Sequence, residues 1–208
     1  MRVVDIVQGF LDSGKTTLID VLIREVLSNE TILVIQTECG ECQLPDYGSR
    51  VKVVSWDWEK GFPLTEMRKL VLMPGFNRVI FEVNGMAPVE ELLDSLEVMQ
   101  RRGEITIGGR MAVFYGPIWQ VMGKPMEDLF RRMALSSQGF WLREGSNDLY
   151  NFISQVQPKG CKTSGGEWLS WYYSTVDSDR YFPVKKIAKA AAIVVGMLLF
   201  YGFLYLKI

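Results

Sequence analysis

Histidine is absent from the 208 residues, and with it goes every mechanism that needs an imidazole: Ser-His-Asp hydrolysis, His-ligated zinc, a His proton shuttle. Cysteine is scarce: Cys39, Cys42 and Cys161 are too few for a disulfide framework in a chain this long. Charge of one sign is not in excess, since 23 Lys and Arg against 24 Asp and Glu leave a net −1. That balance excludes a protein that packages nucleic acid by charge. There is no internal repeat and no low-complexity tract. The first residues, Met1 to Val7, carry Asp5 where a signal peptide needs an unbroken apolar run, so nothing there directs secretion.

What is present is length for one domain with an appendage and an uneven distribution of charge. From Arg180 onward there are five basic residues and no acidic one, so residues 1–179 carry a net −6. Ala190 to Leu206 is a run of seventeen residues without charge or proline. With Ile187, Ala188 and a snorkelling Lys189 it reaches the roughly 30 Å of a bilayer core at about 1.5 Å per residue. Residues 187–206 are therefore expected to form one transmembrane helix, with aromatic residues near both interfaces. Lys185, Lys186 and Lys189 on its N-terminal flank keep that side in the cytoplasm, or contact anionic lipid. The expected location is the cytoplasmic face of the cell membrane, single-pass, with the N-terminal domain in the cytosol.

Upstream, short apolar runs alternate with amphipathic ones. Strand-like segments (Val3–Gln8, Thr31–Gln36, Val51–Ser55, Arg78–Val83, Arg110–Tyr115, Gly139–Leu142) are separated by helix-like ones (Lys15–Ser28, Leu64–Leu72, Pro88–Arg102, Met126–Leu135, Asp148–Gln155). This pattern predicts an α/β fold of three layers around a mainly parallel sheet over residues 1–160. Residues 161–186 are rich in Gly, Ser and aromatics and read as a linker or as a last edge strand, placed at Glu167 to Val176.

Gly9-Phe10-Leu11-Asp12-Ser13-Gly14-Lys15-Thr16 fits G-x-x-x-x-G-K-[ST], with a strand-like run before it and a helix-like run after it. Phosphate oxygens need converging backbone N–H donors, and glycine lets a loop fold around them onto the positive end of a helix. Lys15 would reach the terminal phosphates, the Thr16 hydroxyl would enter the shell of a Mg²⁺ ion, and Thr17 extends the helix start. These features predict a nucleoside triphosphate, GTP or ATP, as ligand. Asp12 puts a carboxylate beside the place of a polyanion.

With Leu18 this loop resembles that of the CobW-type nucleotide-binding proteins (CobW, HypB and UreG among them), whose loop reads GFLGSGKTTL; Asp12 stands where they have glycine. Glu38-Cys39-Gly40-Glu41 is similar to the family's N-E-F-G-E, and Glu82-Val83-Asn84-Gly85-Met86-Ala87-Pro88 to its E-x-[ST]-G-x-A-x-P. The resemblance covers residues 1 to about 160 and implies a P-loop GTPase of the kind that delivers metals to partner enzymes. By position it assigns Gly9, Asp12, Ser13, Gly14, Lys15, Thr16 and Thr17 to phosphate and Mg²⁺. It places Glu82 at the Mg²⁺, with Lys15, Glu38 and Glu41 as catalytic groups.

The chain departs from the family in several places. The family's C-x-C-C is missing: the matching stretch, Lys52 to Lys60, has no cysteine. The guanine-reading N-K-x-D, expected after Gly139–Leu142, is replaced by Trp141-Leu142-Arg143-Glu144, and the large C-terminal domain gives way to the apolar run. Cys39 and Cys42 form one C-x-x-C, half a tetrahedral site. In a reducing cytosol it can clasp Zn²⁺ or another soft metal, be completed by a second copy in a homodimer, act as a redox dithiol, or simply pack. Two function classes follow. One is a membrane-tethered, slow Mg²⁺-dependent GTPase related to metal-handling chaperones. The other is a non-hydrolysing nucleotide sensor that docks a permease, metal transporter or metalloenzyme.

Overall fold

The computed structural model describes residues 1–38, 43–163 and Tyr172. Its order is β1 (Arg2–Gly9), α1 (Lys15–Val21), β2 (Ile32–Gln36), β3 (Val51–Ser55), α2 (Leu64–Val71), β4 (Arg78–Asn84), α3 (Val89–Arg101), β5 (Ile105–Tyr115), α4 (Gly116–Met122), α5 (Glu127–Ser136), β6 (Gly139–Arg143), α6 (Asn147–Val156) and β7 (Cys161–Thr163). The seven strands pair in the order β3-β2-β4-β1-β5-β6-β7, all parallel. Strands buried on both faces read as the continuous apolar runs seen in the sequence.

Successive residues of each strand feed opposite cores. Val4 and Ile6 of β1, with Val79, Phe81 and Val83 of β4, meet Met67 and Val71 of α2 and Leu92, Leu96 and Met99 of α3. On the same face Phe114 and Phe140 pack on Phe130 and Met133 of α5 and Leu149 and Ile153 of α6. The other face carries α1 and the turn that continues it, whose Leu18 and Ile19, and then Leu22 and Ile23, lie on Val7, Val34, Ile80 and Val113. Each such side chain contributes about 1.5–3 kcal/mol by burial, which pins the start of α1 beside the end of β1. The helix continues into a π turn, Leu22–Val26, where the Leu27 N–H reaches the Leu22 carbonyl at 2.9 Å.

Three elements differ from the sequence expectation. β5 begins at Ile105, five residues early, because Gly108 and Gly109 sit in a register shift opposite Asp5 rather than ending the strand. The Gly109 N–H donates to Asp5 Oδ1 at 2.7 Å, so a buried carboxylate fills the irregularity. α4 has no counterpart among the expected elements; it starts at Gly116-Pro117, where proline in the first turn of a helix has no N–H to lose. β7 adds an edge strand at Cys161–Thr163. The strand expected at Glu167 to Val176 falls outside the described residues apart from Tyr172, and the expected membrane span, 187–206, falls outside them altogether. Among the described residues no helix is long and apolar enough to cross a membrane.

Asp5 is the centre of a buried ionic cluster. Its Oδ2 accepts from Arg78 Nη1 at 2.6 Å and from the Tyr172 hydroxyl at 2.9 Å, and Arg78 Nη1 also donates to that hydroxyl at 2.8 Å. All three side chains are essentially inaccessible, and the phenol of Tyr172 joins β1 to β4 through this cluster.

Candidate functional site

The register brings Gly9 opposite Asn84, Gln36 opposite Glu82, and Tyr115 opposite Arg143. These strand ends therefore share the carboxyl edge of the sheet, where parallel α/β folds place their ligands. The loop Phe10–Gly14 lies at this edge between β1 and α1. A Cβ on Gly9 would sit 2.6 Å from both Ser13 Oγ and the Val113 carbonyl, so the loop closes only over glycine. Gly14 caps α1 with φ 106, a left-handed conformation that L side chains avoid, and faces the Arg143 guanidinium. Gly85, after β4, donates its N–H to the Gly9 carbonyl at 2.8 Å; its Cα lies so near the loop that a Cβ would be 3.1 Å from the Phe10 nitrogen.

Asp12 has φ 59. This explains the glycine that CobW-type loops carry there, since the position is left-handed and aspartate is among the few other residues that tolerate it. Its side chain is exposed and borders the cleft. Ser13 Oγ is buried beneath the loop against Gly9, with no hydrogen-bond partner among the described residues.

A cleft of about 130 Å³ is lined by Leu11, Asp12, Gly14, Lys15, Thr16, Thr17, Glu38, Glu82 and Arg143. The structure thus gathers most of the residues expected from sequence. Lys15 is 3 % exposed; its ammonium donates to the Phe10 carbonyl at 2.8 Å and pairs with the carboxylate of Glu38, itself 12 % exposed. Thr16 Oγ1 donates to Glu82 Oε1 at 2.5 Å, and Gln36 Nε2 holds the other carboxylate oxygen at 2.7 Å. This donor set of hydroxyl and carboxylate oxygens suits Mg²⁺. Cys39, Glu41 and Cys42 lie outside the described residues; among the described ones no group of three or more Cys, Asp and Glu is placed to hold a metal.

Two contributors were not foreseen. Gln36 ends β2 as Glu82 approaches the end of β4, and a polar residue closing an apolar strand was the available signal. Arg143, read from sequence only as part of a missing N-K-x-D, reaches across to donate from Nη1 to the Ser13 carbonyl at 2.7 Å. Beyond the cleft, the Tyr47 hydroxyl bonds to Asp20 of α1. Burial, and then that hydrogen bond, push the Tyr47 phenol up to about 12.

Comparison by sequence finds no matching family model and no matching curated protein. Among solved structures, the zinc-bound YjiA GTPase from E. coli matches with a TM-score of 0.55 and 19 % identity, over 79 % of this chain and 57 % of that one. A zinc-bound YjiA triple mutant, with one glutamate and two cysteines changed to alanine, gives 0.50 and 19 % over 79 % and 58 %. The chain shares the α/β fold of the YjiA GTPase. It spans little more than half the length of the YjiA structures it resembles. The hydrogenase maturation factor HypB from Archaeoglobus fulgidus gives a TM-score of 0.49 at 13 % identity, over 82 % of this chain and 86 % of that one.

Proposed function

We propose that this CobW-like chain binds a guanine nucleotide with Mg²⁺ at the Lys15 cleft and hydrolyses the triphosphate slowly, as a membrane-tethered relative of metal-handling GTPases. The observation that carries the reading is the convergence of Lys15, Thr16, Glu82 and Glu38 on one cleft at the carboxyl edge of a parallel sheet. Lys15 and the backbone N–H groups at the start of α1 bind the terminal phosphates. Thr16 and Glu82 hold the Mg²⁺, which when bound neutralises charge on the phosphates. Glu38, released from Lys15, orients the attacking water, with Glu41 a second candidate.

Guanine is favoured over adenine by likeness to YjiA, and zinc by the same likeness, with Cys39 and Cys42 as its ligands. Residues 187–206 tether the domain to the cytoplasmic face of the membrane. Phosphate release from GTP by the detergent-solubilised chain, abolished in Lys15→Ala, tests the enzyme reading. A second reading is a sensor that binds without turnover and docks a permease or a metalloenzyme. The Lys15–Glu38 pair favours it, because a carboxylate already holds the lysine that a phosphate needs. Tight binding with no release of phosphate would select the sensor.

A further inference from the structure

We infer that Arg143 reads the purine of the bound nucleotide, donating to guanine O6 and N7 in place of an N-K-x-D aspartate; this rests on the nucleotide-binding reading above. The strand order sets the direction of the ligand. Glu38 follows β2, Gln36 ends it, and Glu82 belongs to β4, so the groups suited to terminal phosphates and their cation all lie on one side of β1. Arg143 ends β6, two strands away on the other side of β1. A nucleotide with its terminal phosphates on Lys15 and Thr16 that extends over the start of α1 toward β5 and β6 would bring its base to the end of β6, where Arg143 borders the same cleft.

The side chain is built to present a fork there. Its guanidinium carbon lies 5.0 Å from the centroid of the Tyr115 ring and 5.7 Å from that of Trp141, and the side chain is half-buried. The bond to the Ser13 carbonyl is the one hydrogen bond it makes among the described residues, and a guanidinium has five N–H donors. Glu144, the next residue, has φ 47, a strained turn of the kind that persists where surrounding structure demands it.

Guanine presents two adjacent acceptors, O6 and N7, which an arginine fork matches; adenine presents the N6 amino donor beside N7 and opposes it. No aspartate stands in the segments that immediately follow β5, Gly116-Pro117-Ile118-Trp119, or β6, Glu144-Gly145-Ser146. An aspartate reader contacts N1–H and the 2-amino group, whereas an arginine reader ignores the 2-amino group. The two therefore differ in their response to inosine nucleotides, which keep O6 and N7 and lack that amine.

The test is calorimetry of the full-length chain in detergent micelles with the Mg²⁺ complexes of GDP, ADP, IDP and 7-deaza-GDP, repeated on Arg143→Lys and Arg143→Gln. Wild type is expected to prefer GDP over ADP by roughly 5- to 150-fold, the range of one bidentate arginine–guanine contact. IDP should bind within about threefold of GDP, less than one hydrogen bond is worth, and 7-deaza-GDP more weakly. Arg143→Lys, whose ammonium still donates to O6 and N7, should keep part of the GDP preference and its ADP affinity, and Arg143→Gln, whose amide can pair with adenine N6 and N7, should bring the GDP to ADP ratio to one or below. An unchanged ratio in both variants, an equal loss of GDP and ADP in Arg143→Gln, or IDP binding as weakly as ADP would each overturn the assignment. Binding of no diphosphate by folded wild type would instead overturn the nucleotide reading, and this with it.

Discussion

Glu38→Gln separates the two things that Glu38 does. Without nucleotide, its carboxylate holds the buried Lys15 ammonium, and the cleft measures only about 130 Å³, below the roughly 300 Å³ at which ligand pockets begin. A triphosphate must take Lys15 from Glu38, so the interaction broken is subtracted from the apparent affinity. A hydrogen bond to a charged group contributes about 1.5–3 kcal/mol, and glutamine keeps the shape without the charge. The variant is expected to bind a non-hydrolysable GTP analogue up to roughly 10- to 150-fold more tightly. Free of nucleotide it should lose up to about 1.5–3 kcal/mol of stability, a fall in Tm of roughly 2–4 °C per kcal/mol. If Glu38 also orients water, turnover falls while affinity rises. Calorimetry, thermal unfolding without ligand and single-turnover hydrolysis read the three effects. Equal or weaker binding of the analogue by Glu38→Gln would refute the reasoning.

Asp12→Gly should change stability by less than about 1 kcal/mol, since aspartate tolerates φ 59 and the relief glycine brings is offset by its backbone entropy, and should tighten nucleotide binding by removing a carboxylate from the cleft rim; denaturant titration and calorimetry check both. Arg78→Ala leaves Asp5 buried without its cation and should cost about 3–5 kcal/mol in urea unfolding. The Tyr47 phenol, held near 12 against an ordinary 10, keeps its proton in the folded chain at a pH where the unfolded chain loses it. Its contribution to stability is complete below pH 10 and is lost as pH rises from 10 to 12, a decline that Tyr47→Phe should flatten in stability measured across that range.

The strands and most helices were legible because their signals are local: apolar runs of five to eight residues, and helical periods between them. The same holds for Gly9 to Thr17, since a phosphate loop is a contiguous piece of backbone. What sequence could not supply were pairings between distant positions. Asp5 read only as a blemish in an apolar run until β5 folded around it. Gln36 gained meaning from its register opposite Glu82, and Arg143 meets Ser13 across 130 residues. Local rules also gave no sign that β5 runs through Gly108-Gly109 or that a helix starts at Gly116-Pro117, because the compensating contacts come from β1 in the first case and from helix geometry in the second.

The most direct test of the central claim is isothermal calorimetry of Mg²⁺·GDP with the solubilised chain and with Lys15→Ala, each shown to be folded by circular dichroism. Lys15 supplies a charged donor to phosphate, so the account predicts measurable binding to the wild type and a loss of at least roughly tenfold in the variant. Equal affinity in the two, or no binding to either folded protein, would contradict it.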